Sequence, residues 1–305
     1  MPKRKIYLVA ALLALFMLVF AVGQLIGPQS LKPLDAKPDY EPLREEVTQF
    51  IATLPGNYGI YFKDLESGEE IGINETEPFP PASTIKLPVV LYLYEQIAEG
   101  KFNWNDRVRY NKNTDYQGGA GILQYAARHG DTYSLRCLAT ISIILSDNIA
   151  HNMLVRHLGY DNVMNFINKL GPNTTRPFGS ASTTPKDMGA FFEELISFAR
   201  EHPEEGGRLL NDLAHTIYHV GLPGDLPSDI TVSHKEGSIN GVATDGGIVF
   251  GRRPYILVVL SQGITDEDEA FGDIAKISRI VYDFQQQLPA AGDLNLPKIY
   301  KLQEF

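Results

Sequence analysis

One cysteine, Cys137, is all that this 305-residue sequence contains. No intrachain disulfide can form, and no cysteine directly follows the N-terminal apolar run to carry a lipid. A structural thiol within a helix is expected at Cys137. Positive charge is also short: 27 Lys and Arg stand against 37 Asp and Glu, a net charge of −10. That balance argues against a nucleic-acid partner, which needs a basic face. The seven histidines show no metal-ligand spacing, and His151 and His157 fall on different helix faces. Gly118-Gly119-Ala120-Gly121 follows no strand and is too loose for a phosphate loop. No metal and no cofactor is expected, and no internal repeat is visible. What remains is ordinary globular composition, 44% hydrophobic and 21% charged, enough for one large domain or two modest ones.

No charge falls between Ile6 and Leu31, and residues 6–26 are almost wholly apolar. A helix of that length rises about 30 Å, enough to cross a bilayer. Lys3, Arg4 and Lys5 precede it, so residues 1–5 are expected in the cytoplasm and the rest of the chain outside it, in a single-pass membrane protein. The alternative is a signal peptide cleaved near Ala21-Val22-Gly23, with secretion of the remainder. Residues 27–40, carrying Pro28, Pro33 and Pro38, form a semi-rigid linker.

Beyond the linker the periodicity changes several times. Leu43, Val47, Phe50, Ile51 and Leu54 recur at helical spacing over 41–54. Residues 58–65 alternate as a strand, Glu66-Ser67-Gly68 turns, and 70–73 return. From Ser83 to about Phe198 the pattern is mostly helical. Three further strands follow at 230–238, 247–250 and 255–261, then a closing helix at 267–288 and a tail at 289–305. Strands from both ends are expected in one sheet. The fold class is α+β: a five-stranded antiparallel sheet flanked by helices, an all-helical lobe beside it, and the N-terminal transmembrane helix. One domain, 41–288, is expected, as a monomer.

Three short constellations carry chemistry. Ser83 is followed one helical turn later by Lys86, with Pro88 tolerable only in the first turn of the ensuing helix. An amine so spaced can take the serine proton if burial lowers its pKa, and a helix start there favours an oxyanion. A capping serine with a surface lysine fits the same spacing. Ser146-Asp147-Asn148 lies between helical runs 134–145 and 149–158. The serine can relay a proton and the amide can hold a carbonyl, or the three are an N-cap cluster. His234-Lys235-Glu236-Gly237-Ser238 lies on the first late strand. Lys235 offers positive charge, Gly237 close backbone approach and Ser238 a second oxyanion N–H; an edge lysine beside a bulge glycine reads the same way. His234 either lines this site or is a solvated strand residue. Tyr110 and Tyr116 either wall a cleft or pack a turn.

Taken in order, the three motifs follow the S-x-x-K, S-D-N and K-T-G pattern of penicillin-recognising enzymes, with Glu236 in the place of the threonine. Over residues 40–288 the chain resembles the class A β-lactamase-like serine hydrolases, with further likeness at Gly121-Ile122-Leu123-Gln124, at Ser146 through Gly159 and at Thr183-Thr184-Pro185-Lys186-Asp187-Met188. The resemblance implies Ser83 as acylated nucleophile, Lys86 as its base, Ser146 as proton shuttle, Asn148 as ligand of the substrate amide and Lys235 as recogniser of a substrate carboxylate. Two departures stand out. The family's omega-loop Glu, which activates the deacylating water, has no counterpart: between Asn148 and Pro185 the sole acidic residue is Asp161, expected to cap a helix over 162–170. Glu236 occupies the position of a family Thr or Ser, where it either repels a substrate carboxylate or turns away to an off-site basic group.

The expected function is a serine hydrolase working through a Ser83 acyl-enzyme on β-lactams or related cell-wall D-Ala amides, so the partner is a small-molecule or peptidoglycan-like substrate. The alternatives are a penicillin-binding peptidase or esterase that deacylates slowly, and a non-catalytic binding module on the same fold.

Overall fold

The computed structural model describes residues 37–172, 174–176 and 181–297. The expected cytoplasmic end, the span 6–26 and most of the linker lie outside them. Among the described residues no helix is long and apolar enough to cross a membrane.

The sheet grows around the late strand β7 (Tyr255–Gln262). Its partners are β1 (Asn57–Asp64) on one side and β6 (Val242–Phe250) on the other, each antiparallel, with β2 (Glu70–Ile73) and β5 (Thr231–Ile239) at the edges. The expected joining of N- and C-terminal strands is thus observed. Phe62 lies opposite Leu257 and Ile60 opposite Val259. Tyr255, Leu257 and Val259 turn to one core, whereas Ile256, Val258 and Leu260 turn to the other. Side chains alternate along a strand, so a run apolar at every position belongs to a sheet covered on both faces.

One face is covered by α1 (Glu41–Ile51) and the long C-terminal α10 (Glu267–Gln287), which meet Tyr58, Ile60 and Phe62. The other face carries the helical lobe. Its axis is α2 (Lys86–Ala98), where Leu87, Val89, Val90, Leu91, Leu93 and Tyr94 are all buried. A helix apolar all round belongs inside a core. Pro88 falls in its first turn, as expected. Around it stand α5 (Leu135–Ile144), α6 (Asn148–Leu158), α7 (Tyr160–Lys169), α8 (Pro185–Glu201) and α9 (Pro203–Ala214). Two single turns, α3 (Lys112–Asp115) and α4 (Leu123–Ala126), and a two-stranded ribbon of β3 (Arg107–Arg109) with β4 (Thr132–Ser134) complete the lobe.

Several sequence expectations need correction. The β3–β4 ribbon was not anticipated, since three residues with two arginines carry no strand signal. Helix α9 was missed because Gly206-Gly207 weakens a helical reading. Its formation is decided by packing: a Cβ on Gly206 would come within 2.3 Å of the Ala199 Cα in α8. Strand β6 starts at Val242, five residues before the expected 247, because Thr244, Asp245 and Gly246 pair with both neighbours despite low strand propensity. The Asn240-Gly241 turn was the available signal. Gly159, not Asp161, is the capping residue of α7, and Asp161 lies exposed in its first turn. Cys137 is free and only partly buried, with burial pushing its thiol pKa up. Tyr110 is buried, so turn packing is its role, whereas Tyr116 is exposed.

Candidate active site

The chain enters α2 through a 3-10 turn, Ala82–Ile85. Ser83 therefore precedes the helix rather than opening it, and Lys86 is the first helical residue. The turn is set by Ala82 at φ +45°, and Ser146 has φ +51°. The other described non-glycine residues with positive φ are Asn74 and Asn295, a type that tolerates this region. Alanine and serine do not, and strain at such positions concentrates where geometry serves chemistry.

Lys86 is 2% exposed, and its Nζ lies among four oxygens: Ser83 Oγ at 2.8 Å, Ser146 O at 2.7 Å, Asn148 Oδ1 at 2.7 Å and Ser146 Oγ at 3.1 Å. Burial first, then the Lys235 charge, lowers its pKa to about 7, against the opposing pull of Glu236 and Asp147. A neutral amine has two N–H groups and one lone pair. Ser146 O and Asn148 Oδ1 can only accept, so the N–H groups go to them. The lone pair is then left for a hydroxyl, that of Ser83.

The loop and α6 hold this arrangement. Asp147 accepts from Ala150 N at 2.9 Å, which caps α6, and from Leu123 N at 2.8 Å. The capping reading of the S-D-N segment holds for its aspartate, while Ser146 and Asn148 face Lys86. Asn148 Nδ2 donates to Gly118 O at 2.9 Å, which orients the amide with its oxygen toward Lys86. Asn152 Nδ2 donates to Gln117 Oε1 at 3.1 Å and Asp115 O at 3.2 Å. The glycine-rich segment thus forms the cleft wall, a role that spacing did not reveal.

Strand β5 closes the other side. A Cβ on Gly237 would lie 2.3 Å from Ser83 N, so glycine is required there by the close approach of the Ser83 backbone. Thr244, absent from the sequence candidates, ties Gly237 O at 3.0 Å to Pro81 O at 3.3 Å through its hydroxyl. Ser238 is exposed and lines the cleft. Lys235 is fully buried and donates to Glu236 O at 2.8 Å and Glu236 Oε1 at 2.6 Å. One expected behaviour of Glu236, pairing with an off-site basic group, does not hold. Its carboxylate neither stands free nor seeks an off-site base; the long lysine side chain folds back to it. His234 is buried rather than solvated, with Nδ1 3.0 Å from both Asp245 oxygens. Burial opposes its charge, but Asp245 raises its pKa above the ordinary value.

The cleft has a volume of about 490 Å³, with Ser83, Lys86, Asn148, Asn152, Ser238 and Ile239 in its walls. Among the described residues no group of histidines, cysteines or acids is arranged to hold a metal. Ser83 beside a buried, partly neutral lysine, between a sheet edge and a helical lobe, is an arrangement with the parts for serine acyl transfer without histidine.

Comparison with known proteins agrees. The model of the β-lactamase enzyme family, Beta-lactamase2, matches residues 42–285. A β-lactamase of Streptomyces lavendulae is 30% identical over 225 residues, 67% of this chain and 73% of that protein. One from Streptomyces albus G is 29% identical over 248 residues, 73% and 78% of the two chains. The structure of PBP-A superposes with a TM-score of 0.76 at 26% identity, over 81% of this chain and 97% of that one, and a mutant of PBP-A has been solved as an acyl-enzyme complex with penicillin G. The chain belongs to the β-lactamase enzyme family.

Proposed function

We propose that the protein is a class A β-lactamase-like serine hydrolase that forms an acyl-enzyme on Ser83 with β-lactams or related cell-wall D-Ala amides. The observation that carries this reading is the set of oxygens around Lys86 Nζ, which leaves its lone pair to the Ser83 hydroxyl. Ser83 Oγ attacks the carbonyl carbon while its proton passes to Lys86. The resulting oxyanion is held by the backbone N–H groups of Ser83 and Ser238. As the C–N bond breaks, Ser146 Oγ, 3.1 Å from Lys86 Nζ, gives its proton to the leaving nitrogen and regains one from Lys86. Asn148 orients the substrate amide.

The second half of the cycle is slow. Water must add to the ester and expel Ser83, and no carboxylate is available in the segment that follows α7. Lys86, neutral near pH 7, is the base left for that step. This favours penicillin-binding behaviour over rapid turnover, in keeping with the likeness to PBP-A. Residues 6–26 tether the domain to the membrane with residues 41–288 on the outer side.

Ser83→Ala is expected to abolish covalent labelling by a fluorescent penicillin; labelling that survives would refute the assignment. Intact mass then reads the second half: an adduct persisting for minutes supports slow deacylation, and return to the free mass within seconds refutes it.

A further inference from the structure

In the acylation proposed above, the two N–H groups that hold the oxyanion come from separate stretches of chain. Ser83 lies in the 3-10 turn before α2, and Ser238 lies on the edge strand β5. They are far apart in sequence, so no local geometry fixes the distance between them. The turn is entered through Ala82 at φ +45°, a conformation that alanine does not favour. Oxyanion donors are worth most when they are set before the charge develops, so a tertiary contact has to set these two.

Thr244 makes that contact. It stands on β6 directly opposite Gly237 of β5, and opposite residues of neighbouring strands share a face of the sheet. That face is the one toward the turn, because a Cβ on Gly237 would meet Ser83 N at 2.3 Å and both Ala82 Cβ and Ser83 Cα at 3.0 Å. The Thr244 side chain is wholly buried there. Its hydroxyl donates to Gly237 O at 3.0 Å and reaches Pro81 O at 3.3 Å. A hydroxyl carries a single hydrogen, so the two carbonyls share it, the nearer taking the larger part.

Each carbonyl belongs to the backbone that presents one donor. Gly237 O and the Ser238 N–H are the two ends of one peptide group, which is planar and trans, so they point in opposite directions. Thr244 draws the oxygen toward β6, which turns the Ser238 N–H toward the open edge of the sheet. Pro81 O precedes Ala82 and also accepts from Thr84 N at 3.1 Å and Thr84 Oγ1 at 2.6 Å. Those two bonds close the turn on itself; the contact from Thr244 ties it to the sheet.

We infer that Thr244 is a positioning residue for acylation: its hydroxyl aims the Ser238 N–H and fixes it relative to the Ser83 N–H, where the substrate carbonyl oxygen gains charge. This role rests on the acyl-enzyme reading above. A threonine that merely packs β6 would affect stability and leave the acyl carbonyl untouched.

The test uses the full chain and benzylpenicillin. Thr244→Val keeps the shape and removes the hydroxyl, whereas Thr244→Ser keeps the hydroxyl. Valine should lower the saturating acylation rate about 10- to 100-fold and move the half-saturating penicillin concentration by less than about threefold. Serine should stay within about threefold of the wild type in both. In the infrared spectrum of the Thr244→Val adduct, the ester carbonyl band should move to higher wavenumber, toward its position in the unfolded adduct, because hydrogen bonds polarise it less. Thr244→Ala carries the same expectations and serves if the valine variant does not fold. A saturating rate within about threefold of the wild type overturns the inference, as does an unmoved carbonyl band in a variant with a wild-type circular dichroism spectrum. If neither variant folds, Thr244 is a folding determinant and the inference falls. Ser83→Ala separates the two readings. Adducts that survive it overturn the acyl-enzyme mechanism itself, whereas Ser83-dependent adducts indifferent to the Thr244 hydroxyl overturn only its positioning role.

Discussion

Lys86 carries both halves of the proposed cycle, so its protonation governs the rate. Its pKa is lowered to about 7, first by burial and then by the charge of Lys235. The reactive form is the neutral amine, which an ordinary lysine reaches only near pH 10. Acylation should therefore rise with pH and level off above an inflection near 7, measured as the rate of penicillin adduct formation between pH 5 and 9. A rate independent of pH across that range would remove Lys86 as the base. The charge of Glu236 raises the Lys86 pKa, so Glu236→Gln should move the inflection to lower pH. The Ser83–Lys86 spacing was legible because one helical turn brings such residues together. That Ser83 lies in a 3-10 turn with a strained Ala82 before it was not, since no local preference of alanine favours φ +45°. The folding back of Lys235 onto Glu236 was equally hidden: alternation along a strand separates neighbouring side chains, and only the burial of both drives them together.

At the scale of elements, Asp147 joins two pieces of the lobe. One carboxylate oxygen caps α6 at Ala150 N and the other holds Leu123 N at the start of α4, both buried. Asp147→Ala should lower the unfolding free energy by about 2–4 kcal/mol, from a lost cap and a buried N–H left unpaired. Urea denaturation measures this, and a loss under about 1 kcal/mol would mean that water or another group replaces the carboxylate at little cost. The central helices and the outer strands were readable from their period, and the closing helix α10 ends within one residue of its expected limit. Elements held by tertiary contacts were not. Helix α9 exists because Gly206 lets it approach α8, and the Thr244–Gly247 stretch is a strand because β5 and β7 pair with it from both sides.

For the molecule as a whole, the described domain closes one sheet between two cores, and both depend on β7. Its relation to a membrane rests on the apolar run ahead of it. The full chain should stay with the membrane after alkaline extraction, and a chain beginning at residue 37 should be released; retention of the shortened chain, or release of the full one, would count against the tether. The sequence by itself determined the α+β class and the joining of strands from both ends, and it singled out Ser83, Lys86, Ser146, Asn148, Lys235, Gly237 and Ser238 as candidates, because periodicity and motif spacing are local properties of a chain. Tertiary structure decided how those residues are used: which oxygens surround Lys86, why Gly237 must lack a side chain, and that Lys235 is neutralised by its own neighbour. Such matters turn on burial, which removes water as the competing partner for each charge and so makes every remaining contact count.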